Sequence, residues 1–508
     1  MLLMALLPAA AAADVKPSPM FNDHMVLQRD LPVPVWGSAA AGETVTVSLA
    51  GQSKAATADS LGKWLIKLDP MKAGGPYVLS VQGANKVEFK NVLVGEVWVG
   101  SGQSNMAGGM WGYTKNDPVL AKLAAATYPK LRLKKGGSAP WQEANPKNSP
   151  GFSALLFSFG ARLQEELDVP VGLMAGAVGG TPSGNWLSQE AFNADAACQE
   201  VVRKATAKYS PEHARKGYEQ ALARWEKETA AAKQKGETRL PWKPQPPVKP
   251  GTCTRGTIGC HYETFIRPLI PYAIRGVLWD QGESGTAIDS VDQFTLMGAL
   301  IRGWRKDWGQ GDFPVIYVQK PSGGGCAWDP ADPMTCQSDK FTPLPARLPE
   351  LRDGGNRENY IRIMQYPMTG MATSSDLGPG VHPVNKSGYG ARAARVALGM
   401  VYGKSVEIYG PCYQSHEIEG NKIRVKFTHV GQGLSARHGD KLQGFIIAGE
   451  DKKFCWADAV IEGDTVVVSS PAVNKPAAAR YAWAGSCPWA NLFNKDGLPA
   501  LTFRTDAW

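Results

Sequence analysis

Beyond its N-terminal segment, the sequence has no apolar run long enough to cross a membrane, since a transmembrane helix needs about 18 or more such residues. It also has no Cys-x-x-Cys pair among its eight cysteines, so a zinc site is a poor interpretation. The net charge of +9 is scattered over 508 residues, without the basic stripe or reader motif of a nucleic-acid-binding protein. These absences argue against a membrane span, a metal site and a nucleic-acid partner.

The N-terminus favours export. Residues 1–13 form a short apolar core with an Ala-x-Ala cleavage site, which is typical of a signal peptide. No Lys or Arg precedes this core, and a disordered apolar tail is the alternative. We expect a secreted or periplasmic protein whose mature chain begins near Asp14.

The cysteines agree with an oxidising compartment, although free thiols are the alternative. Two pairs are close enough in sequence to close small loops, and a third pair could link the C-terminal region. These pairs are Cys253 with Cys260, Cys326 with Cys336, and Cys455 with Cys487.

Changes of pattern divide the chain into regions, as its length leads us to expect. Residues 14–91 carry short alternating strands typical of a β-sandwich, and β patterns return in 406–508. Residues 92–405 alternate apolar strands with amphipathic helices, which predicts an α/β fold with a doubly wound parallel sheet. About 196–250 is charged, alanine-rich and then proline-rich. We expect a helical surface insertion there, with a coiled-coil partner helix as the alternative.

One stretch has the appearance of a catalytic turn. The apolar run from Val92 to Val99 ends in Gly-Ser-Gly-Gln-Ser-Asn-Met, as a buried parallel strand does when it enters a tight turn. Open α/β sheets place their sites at such strand ends. We predict that Ser104 is a nucleophile; the alternative is a strand-to-helix turn in which Ser104 or Asn105 caps the helix.

Three later stretches supply candidate partners. Gly179-Gly180 follows a strand, and its backbone N–H groups could line an oxyanion hole. Gln281 also follows a strand and is a neutral donor, while Glu283 could bind a sugar hydroxyl, orient a donor or act as an acid. His382 lies in a Gly/Pro-rich loop before a helix, where a histidine is accessible as a general base. The alternatives are helix-start turns for the glycines and a helix N-terminal carboxylate for Glu283.

With the serine, the glycine pair, the Gln/Glu loop and the histidine in this order, the chain resembles the SGNH hydrolase superfamily, and within it the sialate O-acetylesterase-like carbohydrate esterases. The resemblance covers nearly the whole mature chain, except the insertion and a Cys-rich loop at about 322–345. The residues that carry it are Phe21 to Arg29, Gly95 to Trp98, Gly102 to Met106, Gly179 to Pro182, Gln281 to Ser284, His382-Pro383 with Asn385-Lys386, and Gly497 to Ala500.

The resemblance implies a flavodoxin-like three-layer fold and a Ser104–His382 esterase that needs no metal or cofactor. The oxyanion hole would comprise the Ser104 N–H, Gly179, Gly180 and Gln281. An acetylated oligo- or polysaccharide would be the substrate, either a sialic acid or a plant cell-wall glycan such as xylan or xyloglucan. We expect the substrate to contact Gln103, Asn105, Glu283 and Trp186, although Trp186 and Trp111 could equally pack in the core.

The chain departs from the family pattern beside the histidine. The superfamily usually has Asp three residues before it, where this chain has Pro379, and relatives often have Asp two residues before it, where this chain has Gly380. The nearest acid is Asp376. Either Asp376 orients His382, or a backbone carbonyl does so and leaves a Ser–His dyad.

A second departure concerns the Gln281 loop. Gly285 stands where Asn is usual, and Asp280 stands where Tyr is usual. A catalytically silent glycan-binding protein with the same fold is the alternative function. The sequence does not indicate an oligomeric state.

Overall fold

The computed structural model describes residues 14–238, 240–320, 327–336, 338, 340–351, 353–378, 380–439 and 441–508. The predicted signal peptide at 1–13, Cys326 and Pro379 lie outside these residues. The N-terminal strands are β1 (Lys16–Pro17), β2 (Val26–Gln28), β3 (Val33–Ser38), β4 (Thr44–Leu49), β5 (Gln52–Thr57), β6 (Lys63–Leu68), β7 (Gly74–Gln82) and β8 (Lys86–Gly102).

Helices and strands then alternate, as the sequence pattern predicts. The elements are α1 (Ser104–Ala107), α2 (Pro118–Ala125), β9 (Tyr128–Lys135), β10 (Gln142–Ala144), α3 (Ala154–Leu167), β11 (Val171–Ala177), α4 (Gln189–Ala194), α5 (Ala196–Lys208), α6 (Pro211–Gln234), β12 (Gly276–Asp280), α7 (Gln293–Trp308), β13 (Val315–Val318), α8 (Asp353–Ile363), β14 (Thr369–Ala372) and α9 (Lys386–Met400). Helices α5 and α6 occupy the region where we expected an insertion, and α6 is exposed over most of its length.

The C-terminal region consists of strands in three small sheets with their own apolar core. They are β15 (Cys412–Glu419), β16 (Lys422–Thr428), β17 (Leu434–Ala436), β18 (Phe445–Ala448), β19 (Cys455–Trp456), β20 (Asp458–Glu462), β21 (Thr465–Ser469), β22 (Ala478–Tyr481), β23 (Leu492–Asn494) and β24 (Phe503–Arg504).

The central sheet has the order β10-β9-β11-β8-β12-β13-β14, and its strands are parallel except for the antiparallel edge strand β10. Its two faces belong to different apolar cores. Val97 and Val99 pack in the core that contains α7, whereas Trp98 packs in the core that contains α3 and α9. This explains the unbroken apolar run of β8, because a parallel strand covered on both faces needs apolar side chains at every position.

Strand β8 is shared between two parts of the molecule. Its first half pairs antiparallel with β7 of the N-terminal region, and its second half pairs in parallel with β11 and β12. The boundary that we predicted between residues 91 and 92 therefore falls inside one continuous strand. Strands β2, β4, β5 and β7 and the central sheet form a single extended sheet at this point, whereas β1, β3 and β6 form a separate small sheet.

The expected disulfides are not formed at two of the three pairs. Cys253, Cys260, Cys455 and Cys487 are free thiols. Their sulfur atoms contact other groups: the Cys253 thiol faces the Arg255 carbonyl, and the buried Cys487 thiol faces the Ala484 carbonyl. The third pair involves Cys326, outside the described residues.

Glu96 links the N-terminal region to the central sheet through a buried ion cluster. Its carboxylate has no exposed surface and accepts hydrogen bonds from Arg275 Nε at 2.7 Å and Gln28 Nε2 at 3.1 Å. Arg29 Nε also donates to it. Gln28 and Arg29 belong to the motif near residue 21, so that motif serves the fold by neutralising a carboxylate on β8.

Replacing this carboxylate tests its structural role. Glu96→Ala leaves Arg29 and Arg275 without their shared partner, and breaking a buried pair costs about 3–5 kcal/mol in the free energy of unfolding. We expect a clear drop in melting temperature. Glu88→Ala is the control, because Glu88 lies on the same strand in an exposed pair with Lys86 and its loss should change little. Equal melting shifts for both variants would contradict this role.

Candidate active site

Three candidate loops leave the sheet at the same level. In the parallel register, Gly102 at the end of β8 lies beside Ala177 of β11 and Asp280 of β12. The carboxyl ends of neighbouring parallel strands share one edge of the sheet. The Ser104 turn, the Gly179 loop and the Gln281 loop therefore begin next to each other, although they are far apart in sequence.

The turn before Ser104 requires glycine at 102. Gly102 has φ +132°, and a Cβ there would lie 2.1 Å from the Asp280 carbonyl oxygen. Next along the chain, the Gln103 N–H donates to that same carbonyl at 2.8 Å. This close approach folds the backbone sharply, so that Ser104 starts α1 with a half-buried side chain.

The structure brings Ser104 and His382 into direct contact. Ser104 Oγ lies 2.8 Å from His382 Nε2, which is hydrogen-bond distance. His382 lies on the loop between β14, at the edge of the sheet, and α9. That loop runs back across the strand ends to the central strand, and the imidazole is exposed above it.

Gly179 lies against Ser104. A Cβ built on Gly179 would be 3.6 Å from Ser104 Cβ. Within the described residues, the N–H groups of Ser104 and Gly179 have no hydrogen-bond acceptor. Gly180 has φ +72°, and its carbonyl accepts a hydrogen bond from Arg255 Nη2 at 2.7 Å. Two unpaired amides beside a serine are the donors that a tetrahedral oxyanion needs.

Gln281 does not face the nucleophile, which corrects our expectation for it. Its Nε2 donates to the Gly285 carbonyl at 2.9 Å and to the Thr181 carbonyl at 3.4 Å. Its Oε1 accepts from Gln293 at 3.3 Å. The side chain is fully buried, so it ties the Gly179 loop to its own loop and has no donor left for an oxyanion.

Gln103 and Asn105 belong to the framework beneath the site, and Glu283 joins this framework to a cleft. Gln103 Oε1 accepts from the Ser284 N–H at 3.3 Å. Asn105 is fully buried, and its Nδ2 donates to Glu283 Oε1 at 2.9 Å and to the Val381 carbonyl at 3.0 Å. The substrate contact that we predicted for Asn105 is therefore wrong, because neither of its amide hydrogens is available.

Trp186 is also a core residue and not a sugar platform. It has no exposed surface, its Nε1 donates to Thr181 Oγ1 at 3.0 Å, and its ring packs edge-on against Trp279. Trp111 differs, since 74% of it is exposed and it lies four residues after the end of α1. An exposed aromatic ring of this kind offers a face on which a sugar can stack.

Asp376 does not orient His382. The carboxylate is buried and forms a two-point ion pair with Arg392 of α9, with Oδ2 at 2.9 Å from Nη2 and Oδ1 at 3.2 Å from Nη1. Arg392 also donates to the Thr373 carbonyl at 3.2 Å. No described residue accepts a hydrogen bond from His382 Nδ1. The arrangement is a Ser–His dyad, with Asp376 holding the loop to α9.

Two buried lysines lie beneath the dyad, and sequence reasoning assigned neither a role. Lys320 Nζ lies 2.8 Å from Asp280 and 2.9 Å from Glu283. Burial alone would lower the pKa of Lys320, but these two carboxylates raise it, so Lys320 is charged. Its position just after β13 was the available signal, because strand ends carry sites.

Lys386 is the second buried lysine. Its Nζ donates to Asn105 Oδ1 at 2.7 Å and to the Pro383 carbonyl at 2.6 Å. Burial lowers the pKa of Lys386 to about 7, against the opposing attraction of Asp280 and Glu283. The Asn-Lys pair after His382 was its only signal in the sequence.

Two clefts flank the dyad. One has a volume of about 400 Å³ and is lined by Ala107, Lys135, Ser153 and Phe265, among others. The other has a volume of about 530 Å³ and is lined by Glu283, Gln293, Asn359 and Tyr360, among others. In the described part of the chain no three metal-ligating side chains cluster, and no helix has the length and apolar character to span a bilayer.

Comparisons with known proteins agree on one type of enzyme, although no family model matches the chain. The sialate O-acetylesterase of Rattus norvegicus is 25% identical over 536 residues, covering 95% of this chain and 92% of the relative. That of Homo sapiens is 26% identical over 514 residues, covering 91% and 86%. A carbohydrate acetylesterase from Xanthomonas citri has a TM-score of 0.75 at 29% identity, covering 97% of this chain and 100% of its own.

The chain is an SGNH-like esterase of the sialate O-acetylesterase type. The prediction of a carbohydrate O-acetylesterase is confirmed by these relatives. We therefore do not retain the alternative of a silent glycan-binding protein. Secretion stays a prediction.

The role of Asp376 in the esterase can be tested separately from the dyad. Asp376→Asn should lower the melting temperature, because it leaves Arg392 with a weakened partner. Its kcat on p-nitrophenyl acetate should stay within about tenfold of wild type, whereas losing a triad carboxylate costs about 10⁴-fold. Arg392→Met is the matched variant and should behave alike. A kcat loss of about 10⁴-fold in Asp376→Asn but not in Arg392→Met would show instead that Asp376 belongs to a catalytic triad.

Proposed function

We propose that this esterase removes O-acetyl groups from an acidic sugar through an acetyl-enzyme intermediate on Ser104. The observation that carries the mechanism is the 2.8 Å contact between Ser104 Oγ and His382 Nε2. A serine hydroxyl is a weak nucleophile at neutral pH, so catalysis requires a base within hydrogen-bond reach. His382 is that base.

In the first half-reaction, Ser104 Oγ attacks the acetyl carbonyl carbon while its proton passes to His382 Nε2. The N–H groups of Ser104 and Gly179 would donate hydrogen bonds to the carbonyl oxygen and stabilise its negative charge. The tetrahedral intermediate then collapses, and the bond to the sugar oxygen breaks. The imidazolium gives its proton to that oxygen, so the sugar leaves as a neutral alcohol.

In the second half-reaction, water replaces the sugar. His382 Nε2 takes a proton from the water, which attacks the acetyl carbonyl of the acetyl-enzyme. Collapse of this intermediate releases acetic acid, which ionises to acetate in water, and the imidazolium proton returns to Ser104 Oγ. Both halves need His382 in the tautomer with a proton on Nδ1, since Nε2 must accept the first proton.

The proposal of an acidic sugar rests on charges around the nucleophile. Lys135 lines the same cleft as Ala107, and Arg255 donates a hydrogen bond to the Gly180 carbonyl. Both side chains are exposed. In the described part of the chain, Arg255 contacts the uncharged Gly180 carbonyl, and neither side chain forms an ion pair with a carboxylate. A sugar carboxylate would supply the missing countercharge, as the sialate substrates named for the curated relatives would.

The nucleophile and base are tested with p-nitrophenyl acetate. Ser104→Ala removes the covalent route and His382→Ala removes the proton acceptor, so each should lower kcat at least about 10⁴-fold. Ser60→Ala and His213→Ala, at exposed positions away from the site, are the controls and should keep full activity. Wild-type turnover by Ser104→Ala, with the protein folded, would refute the mechanism.

The substrate class is tested by acetate release from O-acetylated sialic acid, acetylated xylan and acetylated xyloglucan. We expect the highest kcat/KM on sialic acid. Lys135→Gln and Arg255→Gln should raise KM about tenfold for sialic acid, which corresponds to one lost charged contact, and leave KM for p-nitrophenyl acetate unchanged. Faster release from either neutral glycan, with no effect of the two substitutions, would point to a cell-wall substrate instead.

A further inference from the structure

His382 is exposed, yet the backbone on both sides of it is held from below. The Val381 carbonyl accepts from Asn105 Nδ2 at 3.0 Å, and the Pro383 carbonyl accepts from Lys386 Nζ at 2.6 Å. Asn105 and Lys386 have no exposed surface and are joined by a 2.7 Å bond from Lys386 Nζ to Asn105 Oδ1. A buried pair therefore holds the two carbonyls that flank the base.

We propose that Asn105 and Lys386 are positioning residues that align His382 with Ser104 through the main chain, in place of a carboxylate on the imidazole. We call this pair the carbonyl clamp. Asn105 directly follows the nucleophile in sequence, so the clamp ties the base to the same turn that presents Ser104. The proposal rests on the proposed function, because it assumes that this dyad is the catalytic centre.

Each polar group of the clamp is used. The two Asn105 amide hydrogens go to Val381 and to Glu283, and its oxygen accepts from Lys386. Lys386 donates to Asn105 and Pro383, and its Nζ lies 4.6 Å from the centre of the Tyr113 ring. Buried polar networks in which every member is satisfied fix one geometry. The clamp therefore has one arrangement that satisfies all of its donors.

The clamp is anchored to the sheet by charge. Glu283, which accepts from Asn105, is held by Lys320, and Lys320 also pairs with Asp280 at the end of β12. The charged groups that act on Lys386 are Asp280, Glu283, Lys320 and Asp117. Asp117 holds the first turn of α9, since Ser387 N–H donates to it at 2.8 Å. The strand ends, α9 and the histidine loop are thus connected through these side chains.

The position of Asp376 fits this arrangement. Its carboxylate is taken by Arg392, and the ring nitrogen opposite Ser104 has no partner among the described residues. Orientation of the base must then come from the loop that carries it. Misplacing a catalytic group by about 1 Å can cost 100-fold in rate, so loss of the clamp should be visible in kcat.

The test is steady-state kinetics on p-nitrophenyl acetate with Lys386→Met and Asn105→Asp. Methionine keeps the length of the lysine but has no donor, and aspartate keeps the shape of asparagine but has no amide hydrogens. We expect kcat to fall about 100-fold in each, with KM within about threefold. The kcat of the double variant should be little lower than that of the less active single variant, because the effects of substituting residues that act as a unit are not additive.

Lys134→Met is the matched control. Lys134 is also a buried lysine that donates to a backbone carbonyl, that of Ala139, but it contacts neither the clamp nor the dyad. It should lose thermal stability without losing kcat. A kcat more than tenfold lower in Lys386→Met than in Lys134→Met supports the clamp, and a smaller difference overturns it.

A crystal structure of Lys386→Met gives a second measurement. We expect His382 Nε2 to lie beyond hydrogen-bond distance of Ser104 Oγ, and an unchanged contact would overturn the clamp. Failure of the proposed function looks different. In that case Ser104→Ala or His382→Ala would retain activity, whatever the clamp variants do.

Discussion

The parallel pairing of β8 between β11 and β12 is the constraint on which the active site depends. Its register places Gly102, Ala177 and Asp280 at one level. The Ser104 turn, the Gly179 loop and the Gln281 loop therefore lie next to each other, although they are far apart in sequence. The absence of a side chain at Gly102 lets the turn approach the Asp280 carbonyl, and this approach directs Ser104 out of the sheet.

The site has two levels with different physical character. The two residues that we propose to react lie above the strand ends and are accessible: Ser104 is half-buried and His382 is exposed. The level beneath them is ionic and mostly buried, with Lys320 between Asp280 and the partly exposed Glu283 and with Lys386 against Asn105. Buried charges are tolerated only when paired and hydrogen-bonded, so this lower level can adopt few arrangements. An open Ser104–His382 pair can thus keep a defined geometry.

Much of the fold and the two residues that meet in the proposed site could be predicted from sequence, because they depend on local patterns. The apolar run of β8 and the glycines after it predicted a strand end, and the Gly/Pro-rich loop predicted an accessible His382. Side-chain directions were less predictable. Gln281 is a donor, but its amide is directed to the carbonyls of Gly285, in its own loop, and of Thr181, a hundred residues earlier. Asp376 is a carboxylate near a histidine, but Arg392 on the next helix captures it.

The tryptophans show the same limit. Trp111 and Trp186 both stand close in sequence to site loops, yet one is exposed and the other fills the core. Exposure depends on what packs against a ring, and for Trp186 the neighbour is Trp279 on β12. The buried lysines were missed because lysine is usually a surface residue. Only its position at a strand end distinguishes Lys320.

The continuity of β8 has a consequence for how such an enzyme can be divided. Modular proteins are usually separated at exposed linkers where few contacts cross. Here the junction between the N-terminal region and the catalytic sheet lies within a strand that is hydrogen-bonded on both sides of residue 91. A fragment that starts at residue 92 would lose β2 and β7 and the Arg29 partner of Glu96. The N-terminal region is therefore an integral part of the catalytic unit, and the two cannot be exchanged as independent modules.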